Sequence, residues 1–280
     1  MTDFKAIETF KETILQDYPR LDESHEFKFS CHPGVECFNV CCSDVNIFLV
    51  PFDILRLRTR LGISTEEFLD NYTISPFTKK LKFPVVQLKM RDDENKTCPF
   101  VAEEGCSVYP DRPWACRMYP VGSASSRPGF KSGKDFYFLL HEEHCKGFKS
   151  EKEWTIKEWV HDQGADEYEK PGELYKELAT HPFFRGPEAE NLSPQKMEML
   201  HMACYNLDKF RTFLFKSGFF DKFEVDPKTR EDLEKDDLKL LEFGAKWVRF
   251  ALFGEKTIKI KKPVLEEKAK KMGIEPPPDL

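Results

Sequence analysis

No uninterrupted apolar run in this chain approaches the roughly 18–20 residues that a membrane-spanning helix needs, so no membrane association is expected. The longest greasy stretches, such as Asn46 to Pro51, are only strand-sized. The opening run MTDFKAIETFKETILQDYPR carries early acidic residues and no continuous apolar core, and it does not read as a secretory signal. There is no Walker A loop, no dinucleotide-binding glycine fingerprint, no H-E-x-x-H and no G-x-S-x-G, which removes the usual signatures of several enzyme classes. No two cysteines are separated by two residues, so a thioredoxin-like C-x-x-C is missing as well. Positive charge is in short supply: 43 Lys and Arg against 49 Asp and Glu give a net charge of −6. That balance argues against a nucleic-acid partner, which normally meets a basic face. There is no internal repeat and no low-complexity tract.

What the chain does have is cysteine. Nine occur, at Cys31, Cys37, Cys41, Cys42, Cys98, Cys106, Cys116, Cys145 and Cys204. With no export signal read at the N-terminus, the expected compartment is the reducing cytoplasm, where clustered cysteines bind metal or do redox chemistry more often than they form disulfides. The chain has 280 residues, enough for one large domain or two ordinary ones, and its 40% hydrophobic content can build a core. Only Cys204 lies beyond residue 146. Composition therefore predicts an α+β, cysteine-rich, loop-dominated domain over 1–150, with short strands and helices, followed by a mainly α-helical domain over 151–280.

Local signals fill in that outline. Apolar residues at Phe4, Ile7, Phe10, Ile14 and Leu15 predict a helix over 3–18. Pro33 and Gly34 make Cys31 to Cys42 a loop. Val45 to Val50 reads as a short strand, and Pro51 suits the first turn of a helix that Gly62 ends. Ser64 and Glu67 form a capping-box pattern for a helix to about Tyr72. Pro84 to Met90 and Asp135 to Leu140 are strand candidates. The prolines between Cys98 and Gly122 forbid long regular elements there. Ser150 with Glu153, Ser193 with Pro194, and Asp226 with Pro227 mark three further helix starts. The last two helices are expected to run to about Lys216 and Phe253. Asp53 and Arg56, at the start of the Pro51 helix, predict a cap or an i,i+3 ion pair.

The cysteines fall into C-x5-C-x3-C-C, from Cys31 to Cys42, and C-x7-C-x9-C, from Cys98 to Cys116, with Cys145 after a gap. Thiolates are the ligating form, and a bound cation makes several close thiolates tolerable. Four sulfurs in a tetrahedron suit zinc and equally suit an iron–sulfur cluster. Eight cysteines are enough for two such sites, or for one site with spare thiols. Cys41 and Cys42 reach a single ion only through an irregular turn; otherwise they serve two neighbouring sites. The spacing fixes neither the metal, Zn or Fe, nor the number of ions. Cys204 sits in a helical pattern and is expected in a core.

The run CPFVAEEGCSVYPDRPWACRMYP, Cys98 to Pro120, closely resembles the signature of the YkgJ-type cysteine-cluster family, a CxxCxxCC domain described as zinc- or iron-chelating. Upstream, Cys41-Cys42, Val45 to Val50, Pro51, Asp53-Ile54, Arg56-Leu57, Leu61 to Ser64 and Glu67 to Leu69 follow that family's order, and Cys145 looks like its final cysteine. The resemblance covers roughly residues 27–150. The gaps before Cys41 are five and three residues, where the family usually has two. The resemblance implies that Cys31, Cys37, Cys41, Cys42, Cys98, Cys106, Cys116 and Cys145 are metal ligands.

Around them, His32, His141 and His144 lie beside ligand cysteines as neighbours of the site. Arg112 and Arg117 are candidates to bind the cofactor by hydrogen bonding to thiolates, against the alternative of surface salt bridges with Asp111 or Glu104. Trp114 and Tyr119 are expected to pack over the site. Three functions stay open. The first is a metal-binding protein whose site is structural or electron-carrying. The second is an iron–sulfur enzyme, by analogy with a flagellin lysine methylase whose cysteine motifs look similar. The third is an adaptor that meets a protein partner through the C-terminal helices, which an exposed patch at Phe243, Trp247 and Phe250 would favour.

Overall fold

A computed structural model describes residues 18–75, 82–125 and 135–273. Apart from Tyr18, the helix expected over 3–18 lies outside them. The fold is α+β, and it divides into two compact units, the first ending at Pro182 and the second beginning at Phe183. The change in composition near 150 and this packing division describe different properties. Residues 153–182 carry no cysteine, yet they pack within the first unit.

The first unit begins with β1 (Glu26–Lys28) and, after the first cysteine loop, β2 (Phe48–Leu49), shorter than the strand expected over Val45 to Val50. Pro51 then opens α1 (Pro51–Leu61), which Gly62 ends in the left-handed region at φ 67°. Ser64 caps α2 (Thr65–Tyr72), its hydroxyl accepting the Glu67 amide N–H at 3.0 Å. β3 (Thr73–Ile74) and β2 flank β4 (Val86–Leu88) in an antiparallel three-stranded sheet. A tight hairpin of β5 (Val101–Ala102) and β6 (Gly105–Cys106) leads through a 3₁₀ turn at Tyr109–Asp111 to the short α3 (Trp114–Met118), two helical segments where at most one turn was expected. Beyond the cis Tyr119–Pro120 bond, β7 (Val121–Ser125) pairs with β8 (Asp135–Leu139).

The start expected at Ser150 and Glu153 is displaced. Glu153–Thr155 form β9 instead, antiparallel to β1 with Glu26 opposite Thr155. The cap falls to Thr155, whose hydroxyl accepts the Glu158 amide while the Glu158 carboxylate accepts the Thr155 amide, opening α4 (Ile156–Asp162). α5 (Glu169–Ala179) follows. The core beneath the cysteines joins Phe27, Phe29, Met118, Val121, Ile156 and Trp159. The indole N–H of Trp159 donates to the Met118 carbonyl and that of Trp154 to the Phe29 carbonyl, both at 3.0 Å.

The second unit is helical, and both of its long expected helices are broken in two. α6 (Pro194–Tyr205) ends at Asn206, whose side chain accepts the Lys209 amide at 3.1 Å and so caps α7 (Leu207–Lys216). After α8 (Phe219–Lys222) and β10 (Phe223–Glu224), α9 (Pro227–Lys235) stops at Asp236. That carboxylate accepts the amides of Leu238 and Lys239 and starts α10 (Asp237–Phe253). β11 (Lys259–Ile260) pairs with β10 and leads into α11 (Lys262–Met272). Gly244 lets α10 lie against α6, because a Cβ there would stand 2.4 Å from the Ala203 carbonyl oxygen. Phe243 and Trp247 are buried, and Trp247 stacks on a half-buried Phe250. These rings belong to the unit's own core. Cys204 is buried there too, as expected, and burial pushes its thiol up to about 12.

Candidate metal centre

The first cysteine loop is a chain of tight turns. The amides of Val35, Phe38, Val40 and Cys42 each donate to the carbonyl three residues back. Asn39, at φ 67°, turns the backbone into a single 3₁₀ turn, Val40–Cys42. Three residues per turn set successive side chains about 120° apart, so Cys41 and Cys42 diverge at their Cβ atoms. Their thiols remain hydrogen-bonded to each other.

The rest of the cluster is brought in by backbone contacts. The Cys98 amide donates to the Cys42 carbonyl at 2.8 Å, and Ser43 bridges to Thr97. The β5–β6 hairpin sets Cys106 opposite Val101, close after Cys98. On the other side, the Ser30 amide donates to the Gly147 carbonyl at 3.1 Å, which draws the segment holding Cys145 towards Cys31. A pocket is lined by Cys31, Cys37, Cys41 and Cys145 together with Phe29, Tyr119 and His144.

Cys116 is positioned by a residue far away in sequence. Asp53 is wholly buried, and one carboxylate oxygen accepts the Val50 amide at 2.8 Å, which is the expected cap of α1. The other accepts the Trp114 amide at 2.8 Å, fixing the start of α3. Burial pushes this carboxyl up to about 6 against the pull of the two amides. No i,i+3 pair with Arg56 forms; Arg56 reaches Asp111 at 3.1 Å and also pairs with Glu167.

Arg112 and Arg117 are buried, so neither makes the surface salt bridge weighed from the sequence. Arg117 donates to the carbonyls of Arg112, Pro110 and Gln163. Arg112 donates to the Tyr109 carbonyl and the Gln163 side chain and lies over the Tyr109 ring. Both therefore brace the loop between Cys106 and Cys116. The Arg112 charge also acts on Cys31, Cys106 and Cys116.

Several sulfurs receive amide N–H groups: Cys37 from Lys146 at 3.1 Å, Cys98 from Phe100 and Val101, and Cys106 from Val108. Such donors favour the thiolate. Tyr119, as expected, lies over the cluster, with its hydroxyl shared between Glu142 and Cys145. His32 accepts the Gly34 amide through Nδ1, and His141 stacks on Phe148 at 4.0 Å. Only His144 joins the pocket lining. The long-range roles of Asp53, of the Lys146 amide and of Gln163 had no signal in motif spacing. Only Asp53's place in the first turn of α1 pointed to its capping half.

Without a cation these thiols oppose one another's ionisation. Burial, then Cys41, Cys37 and Cys145, push Cys31 up to about 11. Burial also raises Cys98 and Cys106. Cys116 keeps exposed surface, yet the protein packed about it still raises its thiol, with Cys98 the first charged neighbour. Within the hydrogen-bonded pair, Cys41 is lowered to about 7 by the Cys42 thiol, which is itself raised. Mutual repulsion among soft donors, eased by amide N–H groups, is the chemistry that a thiophilic cation relieves. The donor set therefore fits zinc or iron. Among the described residues, no three His, Cys, Asp or Glu side chains stand in metal-ligating geometry.

No curated protein and no solved structure matches the chain. Among the described residues, no helix is long and apolar enough to cross a membrane. Residues 30–156 match the model of the CxxCxxCC family, described as a "putative zinc- or iron-chelating domain". That span runs from just before Cys31 to the start of α4 and contains all eight clustered cysteines. The match covers a little under half of the chain and agrees with the family that the motifs from Cys98 to Pro120 resemble.

Proposed function

We propose that the first unit holds zinc or iron through Cys31, Cys37, Cys41, Cys42, Cys98, Cys106, Cys116 and Cys145, and that the centre is structural or electron-carrying. The observation that supports this reading is that Cys31, Cys37, Cys41 and Cys145 line one pocket while a backbone bond holds Cys98 to Cys42. An all-sulfur donor set is the pattern of closed zinc sites and of iron–sulfur clusters, whereas catalytic zinc keeps an open position. Zinc would supply cross-links between loops that have little regular structure, and an iron–sulfur cluster would supply one-electron chemistry.

This chain's own residues supply the setting. Amide N–H groups from Phe100, Val101, Val108 and Lys146 offset thiolate charge. Arg112 adds a buried positive charge near Cys106 and Cys116, while Arg117 holds the loop backbone in place. All nine cysteines are free, which accords with a reducing compartment such as the cytoplasm.

The test is anaerobic purification followed by elemental analysis and a visible spectrum. Zinc with no colour assigns a structural role. Iron with acid-labile sulfide and broad visible absorption assigns an electron-carrying one. A folded chain with neither metal, and with every thiol open to alkylation, would overturn the proposal.

A further inference from the structure

We propose that the eight cysteines form two four-sulfur metal sites that meet at the Cys41–Cys42 turn, with Cys31, Cys37, Cys41 and Cys145 in one and Cys42, Cys98, Cys106 and Cys116 in the other. This rests on the metal-binding reading above and adds the number of sites and the membership of each.

The backbone makes the division. Cys31, Cys37, Cys41 and Cys145 line one pocket, and none of the other four cysteines belongs to it. Its walls come from the first loop and from the segment after β8, which are joined by the bond from the Ser30 amide to the Gly147 carbonyl and by the Lys146 amide on Cys37. The second set is assembled by different contacts. Cys98 is hydrogen-bonded to Cys42 through the backbone, and the β5–β6 hairpin returns Cys106 towards Cys98. Asp53 fixes the start of α3, which carries Cys116, and Arg117 holds the Pro110 and Arg112 carbonyls of the loop before it.

The adjacent pair is where the sets touch. Side chains about 120° apart around a 3₁₀ turn leave the backbone in different directions, which lets the pair serve two neighbouring sites. Each set then holds four sulfurs, the number that closes a tetrahedral site.

The experiment uses the full chain, purified anaerobically, with zinc and iron counted by mass spectrometry. It compares the natural sequence with Cys37→Ser/Cys145→Ser and with Cys98→Ser/Cys106→Ser. Each double variant is expected to lose about half of the bound metal and to keep the other half. If both variants lose all metal, or if the natural chain binds a single centre, the division is overturned while the metal-binding reading survives. A natural chain that binds no metal overturns both.

Should either variant fail to fold, the natural chain answers the question by itself. Chelator is added in steps, and alkylated cysteines are mapped by mass spectrometry at each step. Labelling of one complete set before the other supports two sites. Labelling spread across both sets from the first step, or all eight cysteines appearing together, overturns them.

Discussion

The two units bury their residues with different materials. In the first, every sheet has two or three short strands, and two-stranded ribbons are marginal by themselves in water. Its order comes from a small core around Phe27, Phe29 and Trp159, from polar clamps, Asp53 and Arg117 foremost, and from the thiol cluster. In the second, Phe213, Phe219, Phe223, Phe243 and Trp247 pack ring against ring at centroid distances of 4.5–6.0 Å. A core of that kind needs nothing from outside the chain. On the proposed reading, dependence on metal belongs to the first unit only, although both are parts of a single polypeptide.

The strongest way to break the comparison is to remove the metal. Chelation under anaerobic conditions is expected to destabilise the first unit by several kcal/mol, since structural zinc contributes roughly 10–16 kcal/mol in small peptides. Calorimetry and limited proteolysis should show residues 18–182 loosening while the helical unit holds. Equal loss in both units would refute the comparison. The converse perturbation is Phe219→Ala, which opens the aromatic core and should cost about 3–5 kcal/mol in denaturant titrations, with metal content unchanged.

Asp53→Asn keeps the shape of a buried clamp but sets an amide N–H against one of the two backbone donors. About 1–3 kcal/mol is expected from the unsatisfied group, read as a lower melting temperature of the first unit. A neutral outcome would mean that Asp53 is not what fixes α3. The smallest effect is expected at Trp247, whose Nε1 is buried with no hydrogen-bond partner among the described residues. Trp247→Phe removes that unsatisfied donor along with some packing, and should stay within about 1 kcal/mol.

Legibility in the sequence followed range. α1 and α2 were readable because Pro51, Gly62, Ser64 and Glu67 act on their immediate neighbours. The starts at Ser193 and Asp226 were readable for the same reason. Asn206 and Asp236 were passed over because each interrupts an apolar period without a proline or glycine to mark it, and their capping role shows only in the hydrogen bonds. The Ser150 and Glu153 pattern misled because pairing with β1 drew Glu153 into a strand. The cysteine cluster was visible as a family motif, but its grouping was not. Spacing alone could not show that residues near 146 return to Ser30, or that Asp53 reaches Trp114.

The pairing of β1 with β9 also sets an order of events in the cell. Glu26–Lys28 leave the ribosome long before Glu153–Thr155, and at roughly 5–20 residues per second the wait is on the order of ten seconds. Until then Phe27 and Phe29 lack Ile156 and Trp159, their partners in the core. Cys31 through Cys42 meanwhile sit on a nascent chain as uncovered thiols, open to oxidation and to any passing metal. The first cysteine loop therefore gains its core support only once Thr155 has emerged to pair with Glu26.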